Sequence, residues 1–141
     1  DRVYKEYFKA LTNGKAELDI SDCPDLGPVL FAVAAANHGG VFTGTDRLRI
    51  KESDRISSMK TELEKVGAYV YEEDGKVTVI SAPLSEPTCE IDSHNDHRIV
   101  MAMSLILSKT GGVITNAQAI NKSLPDYFDK LKTLAVKFDI E

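Results

Sequence analysis

Four short stretches of this 141-residue chain gather the groups that acid–base and anion chemistry requires. Asp25 follows Pro24, and Lys51, Glu52, Ser53, Asp54 and Arg55 are consecutive. Asn95, Asp96, His97 and Arg98 form a third group, and Lys122-Ser123 a fourth. Arginine offers a rigid fork suited to carboxylate or phosphate, and lysine a compact point charge. Carboxylates such as Asp25 and Glu52 among those cations could carry protons. Each residue alone also fits an ordinary role. Asp25 and Asp96 could simply begin helices, residues 51–55 could form a solvated charged turn, and His97 could bond locally. The run Asp92, His94, Asp96, His97 has the composition of a metal cluster. It matches no fixed ligand spacing, so no metal is expected.

All four stretches fall at predicted helix starts, where free N–H groups and the helix dipole favour anions. If the helices run parallel, Lys51, Arg55, Arg98 and Lys122 converge on one face. Val3, Tyr4, Tyr7, Phe8 and Leu11 share one helical face, with Asn13-Gly14 as its stop. A strand follows over Ala16 to Ile20, then an Ala-rich helix from Leu26 to Asn37, closed by His38-Gly39-Gly40. Val41 to Thr45 reads as a strand, and Ile56, Met59, Leu63 and Val66 mark a helix from about Asp54 to Val66. Ala68–Glu72 and Lys76–Ile80 flank Asp74-Gly75, a strong hairpin signal. Beyond a proline-containing segment, strands are expected near Glu90-Ile91 and over Val113–Thr115. Helices are expected over His97–Ser108 and Asp126–Leu134.

The pattern repeats. Gly39-Gly40-Val41-x-Thr43 recurs as Gly111-Gly112-Val113-x-Thr115 at an offset of 72, and Asp25 recurs as Asp96 at 71. Lys51 and Asp54 recur as Lys122 and Asp126 at 71 and 72. Each unit reads as strand, helix, strand, helix and two strands. The first covers about 15–81 and the second about 88–141, with the second expected to be cut short at Glu141. The helix holding Ile99, Val100, Met101, Met103, Leu105, Ile106 and Leu107 has almost no polar face, which marks it as buried. An α/β architecture with helices inside and sheets outside is therefore expected.

A hydrophobic content of 43% with 28% charged residues is that of a folded globular chain. The net charge of −5 argues against nucleic-acid binding. Cys23 and Cys89, the 2 cysteines, fit neither a zinc knuckle nor a disulfide framework. No apolar run approaches the roughly 18–20 residues of a membrane span. With no signal-peptide pattern, a cytoplasmic location is the default. The absence of an initiator Met suggests a piece of something longer.

Four motifs occur in order: Asp22-Cys23-Pro24-Asp25-Leu26-x-Pro28, Arg47-Leu48-Arg49-x-Lys51-Glu52-Ser53-Asp54-Arg55, Asn95-Asp96-His97-Arg98-x-x-Met101-Ala102 and Lys122-Ser123-x-Pro125-Asp126-Tyr127-Phe128. Together they resemble the C-terminal part of the EPSP synthase (3-phosphoshikimate 1-carboxyvinyltransferase) family over roughly Asp19 to Leu134. The resemblance implies an inside-out α/β lobe of βαβαββ units with buried helices, of which residues 1–141 form about two of three. It implies transfer of the enolpyruvyl group of phosphoenolpyruvate to the 5-hydroxyl of shikimate 3-phosphate, on the pathway to chorismate and the aromatic amino acids. No cofactor is implied.

By the same resemblance Asp25 binds the shikimate hydroxyls and is a candidate base, while Lys51 and Glu52 lead as proton carriers. Arg55, Arg98 and Lys122 hold phosphoenolpyruvate, with His97 beside them. Arg47 stands where some members carry Asn, at a position contacting the shikimate phosphate. Glyphosate would compete for the same pocket, and an N-terminal lobe would supply the opposite wall. A sibling enolpyruvyl transferase acting on UDP-N-acetylglucosamine shares the fold but lacks the Lys51–Arg55 pattern. From another class, a stand-alone anion-binding module would bind phosphate tightly without any second lobe.

Overall fold

The computed structural model describes residues 2–141. An amphipathic helix α1 (Arg2–Asn13) leads into strand β1 (Ala16–Asp19), and a 3-10 turn over Pro24–Leu26 runs into α2 (Gly27–Ala36). Strand β2 (Gly40–Thr43), a second 3-10 turn over Asp46–Ile50, α3 (Arg55–Lys65) and the hairpin β3 (Tyr69–Glu73)–β4 (Lys76–Ile80) complete the first succession. The second runs β5 (Ile91–Asp92), α4 (His97–Thr110), β6 (Ile114–Thr115), a 3-10 turn over Ala117–Lys122 and α5 (Tyr127–Thr133). It repeats the first as far as its second helix.

In the first succession β1 and β2 pair in parallel across α2, and β4 and β3 add antiparallel to give the order β1-β2-β4-β3. In the second, β5 and β6 pair in parallel across α4. Alternation fixes which sheet face is covered: Leu18, Phe42, Val70, Val77 and Val79 are buried, whereas Glu17, Tyr69 and Tyr71 face outward. The hairpin turns through Asp74 and Gly75, both at positive φ (52° and 72°), the backbone of the tight turn that Asp-Gly favours.

The covered face packs on the helices, and α2 is the most enclosed of them. It touches α1, α3, α4 and strands β2 and β4. Leu30, Phe31, Ala32, Val33, Ala34 and Ala35 are all buried, so the helix has no solvent side. Sequence periodicity had singled out α4 instead. That helix is largely buried, but Leu105 is 39% exposed and its flank at Met101 is only partly covered. The small side chains of α2 allow neighbours to close in from every direction, whereas the bulkier α4 lies at the boundary with the C-terminal segment. Gly39 ends α2 at φ +76°, where a Cβ would lie 2.6 Å from the Val79 carbonyl oxygen. Only glycine fits there. Among the described residues no helix is long and apolar enough to cross a membrane.

Candidate active site

Three helix starts meet at one place. Asp25 lies in the turn before α2, Lys51 to Arg55 lead into α3, and Asp96 to Arg98 open α4. At their centre is the guanidinium of Arg55, with its side chain 1% exposed. Its Nε donates to Asp96 Oδ2 at 2.9 Å and its Nη2 to Asp96 Oδ1 at 3.2 Å. The Nη1 group donates to Asp25 Oδ1 at 2.9 Å, and Nη2 also reaches Glu52 Oε2 at 2.7 Å. Lys51 Nζ lies 3.2 Å from the same Asp25 oxygen. A buried cation is tolerated only when partners replace its water, and three carboxylates do so here.

Asp96 is the inner anchor. It is fully buried, and beyond Arg55 it accepts from Ser53 Oγ at 2.8 Å and from the Arg98 backbone N–H at 2.9 Å. The last bond caps α4, so one carboxylate serves both the helix and the cluster. Burial would raise its pKa, but the bonds from Arg55, Ser53 and Arg98 outweigh that and hold it below the ordinary carboxylate value. Asp25 behaves alike: burial pushes it up, and Lys51 and Arg55 pull it down further. Unlike Asp96, Asp25 caps neither adjacent helix, and it is half-exposed. Burial and the neighbouring Arg98 hold His97 below the usual imidazole value. Its Nδ1 is 3.8 Å from Asp96 Oδ1, too long for a hydrogen bond.

Beside this cluster a cavity of about 260 Å³ is lined by Tyr4, Asp25, Leu26, Val29, Arg98 and Met101. Arg98 Nε is buried without a hydrogen-bond partner among the described residues. The site therefore pairs ionised carboxylates with an arginine still able to donate, an arrangement able to hold an anion and to move protons beside it. Lys122, at the end of the 3-10 turn before α5, joins the rim by donating from Nζ to Asn95 Oδ1 at 3.1 Å. Arg47 is exposed on the 46–50 turn and pairs with no group among the described residues.

The acidic and imidazole groups do not form one metal cluster. The His94 ring meets Glu62 on α3 and the Asp92 carboxylate accepts from the His94 N–H, while Asp96 accepts from Arg55. Glu52, Asp96 and His97 do approach within 4.8 Å of one another. Their carboxylates already accept from Arg55, however, and a guanidinium in that position opposes a cation.

A second set of polar contacts went unread in the sequence. Glu62 on α3 is fully buried. Its Oε1 lies 2.7 Å from His94 Nε2, while Oε2 meets Lys65 Nζ at 2.7 Å and accepts from the Asp92 N–H at 3.1 Å. The available signal was a glutamate on the apolar stripe, three residues after Met59 and four before Val66. The turn it supports carries His94 and Asn95 consecutively at positive φ, 52° and 54°. Asparagine visits that region readily, whereas histidine does so less often.

Comparison with known proteins places the chain in a family. The model of the family described as EPSP synthase (3-phosphoshikimate 1-carboxyvinyltransferase) matches residues 3–131, which includes the N-terminal helix outside the four motifs. A 3-phosphoshikimate 1-carboxyvinyltransferase of Clostridium novyi is 43% identical over 131 residues, 90% of this chain and 29% of the relative. One from Saccharolobus islandicus is 37% identical over 129 residues, 89% of this chain and 31% of the relative. Among solved structures, an EPSP synthase from Acinetobacter baumannii aligns with a TM-score of 0.74 at 28% identity, covering 84% of this chain and 28% of that one. The chain thus spans less than a third of the relatives it matches, and on the profile match and these identities it belongs to the EPSP synthase family.

Proposed function

We propose that the Arg55 cluster is one wall of an active site that transfers the enolpyruvyl group of phosphoenolpyruvate to the 5-hydroxyl of shikimate 3-phosphate. The observation that carries this reading is the convergence of Lys51, Arg55 and Arg98 with Asp25 and Glu52 at three helix starts. The reaction adds the hydroxyl oxygen to C2 of the enol while the hydroxyl loses its proton and the methylene carbon gains one. The resulting ketal then expels phosphate as its methyl group returns a proton, restoring the double bond.

Each step asks for a group found here. Asp25 is kept ionised by Lys51 and Arg55, so it can bind the shikimate hydroxyls and accept a proton. Lys51 and Glu52, each touching a member of the Asp25–Arg55 pair, are the proton carriers for the methylene carbon. Arg98 and Lys122 would clamp the phosphate and carboxylate of phosphoenolpyruvate, with His97 alongside. Arg55 orders the carboxylates, because most of its donors are already engaged. Arg47 would reach the shikimate phosphate only at the rim.

Residues 1–141 are read as part of a C-terminal lobe, with units over about 15–81 and 88–141. Because the chain covers 29% of its relative, the opposite wall would come from an N-terminal lobe that closes over the substrates and excludes water. The reading places the protein in the cytoplasm, on the route to chorismate, with glyphosate competing for the phosphoenolpyruvate site. The test is phosphate release from phosphoenolpyruvate, dependent on shikimate 3-phosphate, by this chain mixed with the rest of the parent sequence. Activity that appears only on mixing, and is lost in Lys51→Ala and Glu52→Ala, supports the reading. A folded complex of both parts without turnover would overturn it in favour of an anion-binding module.

A further inference from the structure

Glu62 lies outside the cluster just described, yet it bonds to the turn that delivers Asp96. Three groups meet its buried carboxylate: the Asp92 N–H, the His94 ring and Lys65 Nζ. Lys65 Nζ also donates to the Glu90 carbonyl at 2.9 Å, so the end of α3 is fastened to β5 on both sides of Ile91. Beyond Asp92 the chain passes through the left-handed residues His94 and Asn95 and arrives at Asp96 at the next position. Two local bonds and one distant bond complete the turn: His94 N–H to Asp92 Oδ1 at 2.9 Å, Asn95 N–H to Ser93 Oγ at 3.1 Å, and Ser93 Oγ to the Asn116 carbonyl beyond β6 at 2.9 Å. These set its shape. Among the described residues, Glu62 and Lys65 alone make polar side-chain ties from its start to α3, the helix whose first residue is Arg55.

We propose that Glu62 is a positioning residue of the phosphoenolpyruvate site, holding the 92–96 turn through His94 and the Asp92 N–H so that Asp96 and Arg98 keep their places around Arg55. The proposal rests on the functional reading above. With Glu62 neutralised or His94 removed, the start of the turn loses a tie to α3, and the Arg55–Asp96 bonds are left to hold its far end. The Asp96 carboxylate and the Arg98 that follows it would then shift relative to Lys51 and Asp25. Displacements of that kind penalise the substrate held by the moved residues and spare the other one.

The test uses the enzyme completed with the rest of its sequence, and it compares Glu62→Gln, His94→Ala and His94→Gln with the control Ile106→Val in the interior of α4. Glu62→Gln and His94→Ala are expected to raise the KM for phosphoenolpyruvate about tenfold, with the KM for shikimate 3-phosphate changed less than about twofold. His94→Gln, whose amide can still donate to Glu62, is expected to recover most of the loss. The double variant Glu62→Gln/His94→Ala is expected to be no worse than the poorer single one.

A purely structural role would instead lower the maximal rate in step with the folded fraction, leave both KM values alone as in Ile106→Val, and overturn the proposal. Equal shifts in both KM values would overturn it too. Arg98→Ala separates the two levels of the argument. If it raises the phosphoenolpyruvate KM while the Glu62 and His94 variants do not, only this proposal fails. If Arg98→Ala is itself without effect, the functional reading fails and takes this one with it.

Discussion

Arg55 and Glu62 stand seven residues apart on α3, and so share a helical face two turns apart. Both are buried charges, and both reach across to residues 92–96. Their surroundings differ in one respect. Two of the carboxylates around Arg55, those of Asp25 and Glu52, are 53% and 51% exposed, so that cluster opens toward a ligand. The partners of Glu62 are Lys65 and His94, at 18% and 29%, together with a backbone N–H. On the proposed function the first arrangement exchanges protons with a substrate, whereas the second holds shape. One helix thus carries a reactive end and a fastening end, and residue type alone separates neither from the other. Exposure of the partners does.

Four experiments press on that contrast. The largest effect is expected for Arg55→Met, which leaves Asp96 buried without its cation. Removing one partner of a buried ion pair costs about 3–5 kcal/mol, to be read as a lower thermal midpoint. A loss under about 1 kcal/mol would show that Asp96 can find water, and would erase the distinction between the interior and the open side.

Lys51→Ala comes next and should divide the effects differently. Its partner Asp25 is half-exposed, and such pairs contribute about 0–1 kcal/mol to stability. Turnover of the completed enzyme should nonetheless fall about a hundredfold or more, the usual range for a lost proton carrier. Equal losses of stability and activity would place Lys51 with the fastening residues.

The third experiment is acid titration of the thermal midpoint. Asp96 and Asp25 both titrate below the ordinary carboxylate value in the folded state. The unfolded chain therefore binds more protons as pH falls. Their contribution is present above the unfolded carboxylate value of about 3.9 and is lost as pH drops through the folded values. The midpoint should fall on acidification, and Asp96→Asn should flatten that limb. An unchanged limb would remove Asp96 from the acid response.

The smallest effect is expected at the exposed Lys60–Glu64 pair on the same helix. Glu64→Ala should cost about 0.3–0.5 kcal/mol and leave turnover untouched, giving the baseline against which the buried charges of α3 are judged.

Much of this was legible before any coordinates. The Ile56, Met59, Leu63, Val66 stripe located α3 to within a residue at each end, and Asp74-Gly75 located the hairpin, because periodicity and turn chemistry are local. The 3-10 turns over Asp46–Ile50 and Ala117–Lys122 were not foreseen, since such short segments show no lasting periodicity. The burial of α4 was legible, whereas the complete enclosure of α2 was not, for a tertiary reason. An Ala-rich helix can be surrounded completely, and hydrophobicity does not report how closely neighbours approach. In the site, residue types pointed to Asp25, Lys51, Glu52, Arg55 and Arg98, and the fold brings these together. They could not reveal that Arg55 spends its donors on three carboxylates, nor that Asp96 both caps a helix and compensates that arginine. Those facts depend on which helix starts become neighbours, which no single stretch of chain encodes.

The parallel pairing of β1 with β2 has a consequence for the order of assembly. Its register joins Ala16 to Gly40 across the whole of α2, whereas the β3–β4 hairpin closes over Asp74 and Gly75 alone. Closing a short loop takes tens of nanoseconds and a hairpin about 1–10 μs, while pairings distant in sequence must first meet the entropy of a long closure. We expect the hairpin to be the first stable feature, β1 and β2 to pair next across α2, and the Gly40–Val79 pairing of β2 with β4 to close the sheet last. Pulse-labelled amides would record this as early protection within β3 and β4 and late protection where β2 meets β4. The reverse order would mean that the sheet closes around β4 before its own hairpin has formed.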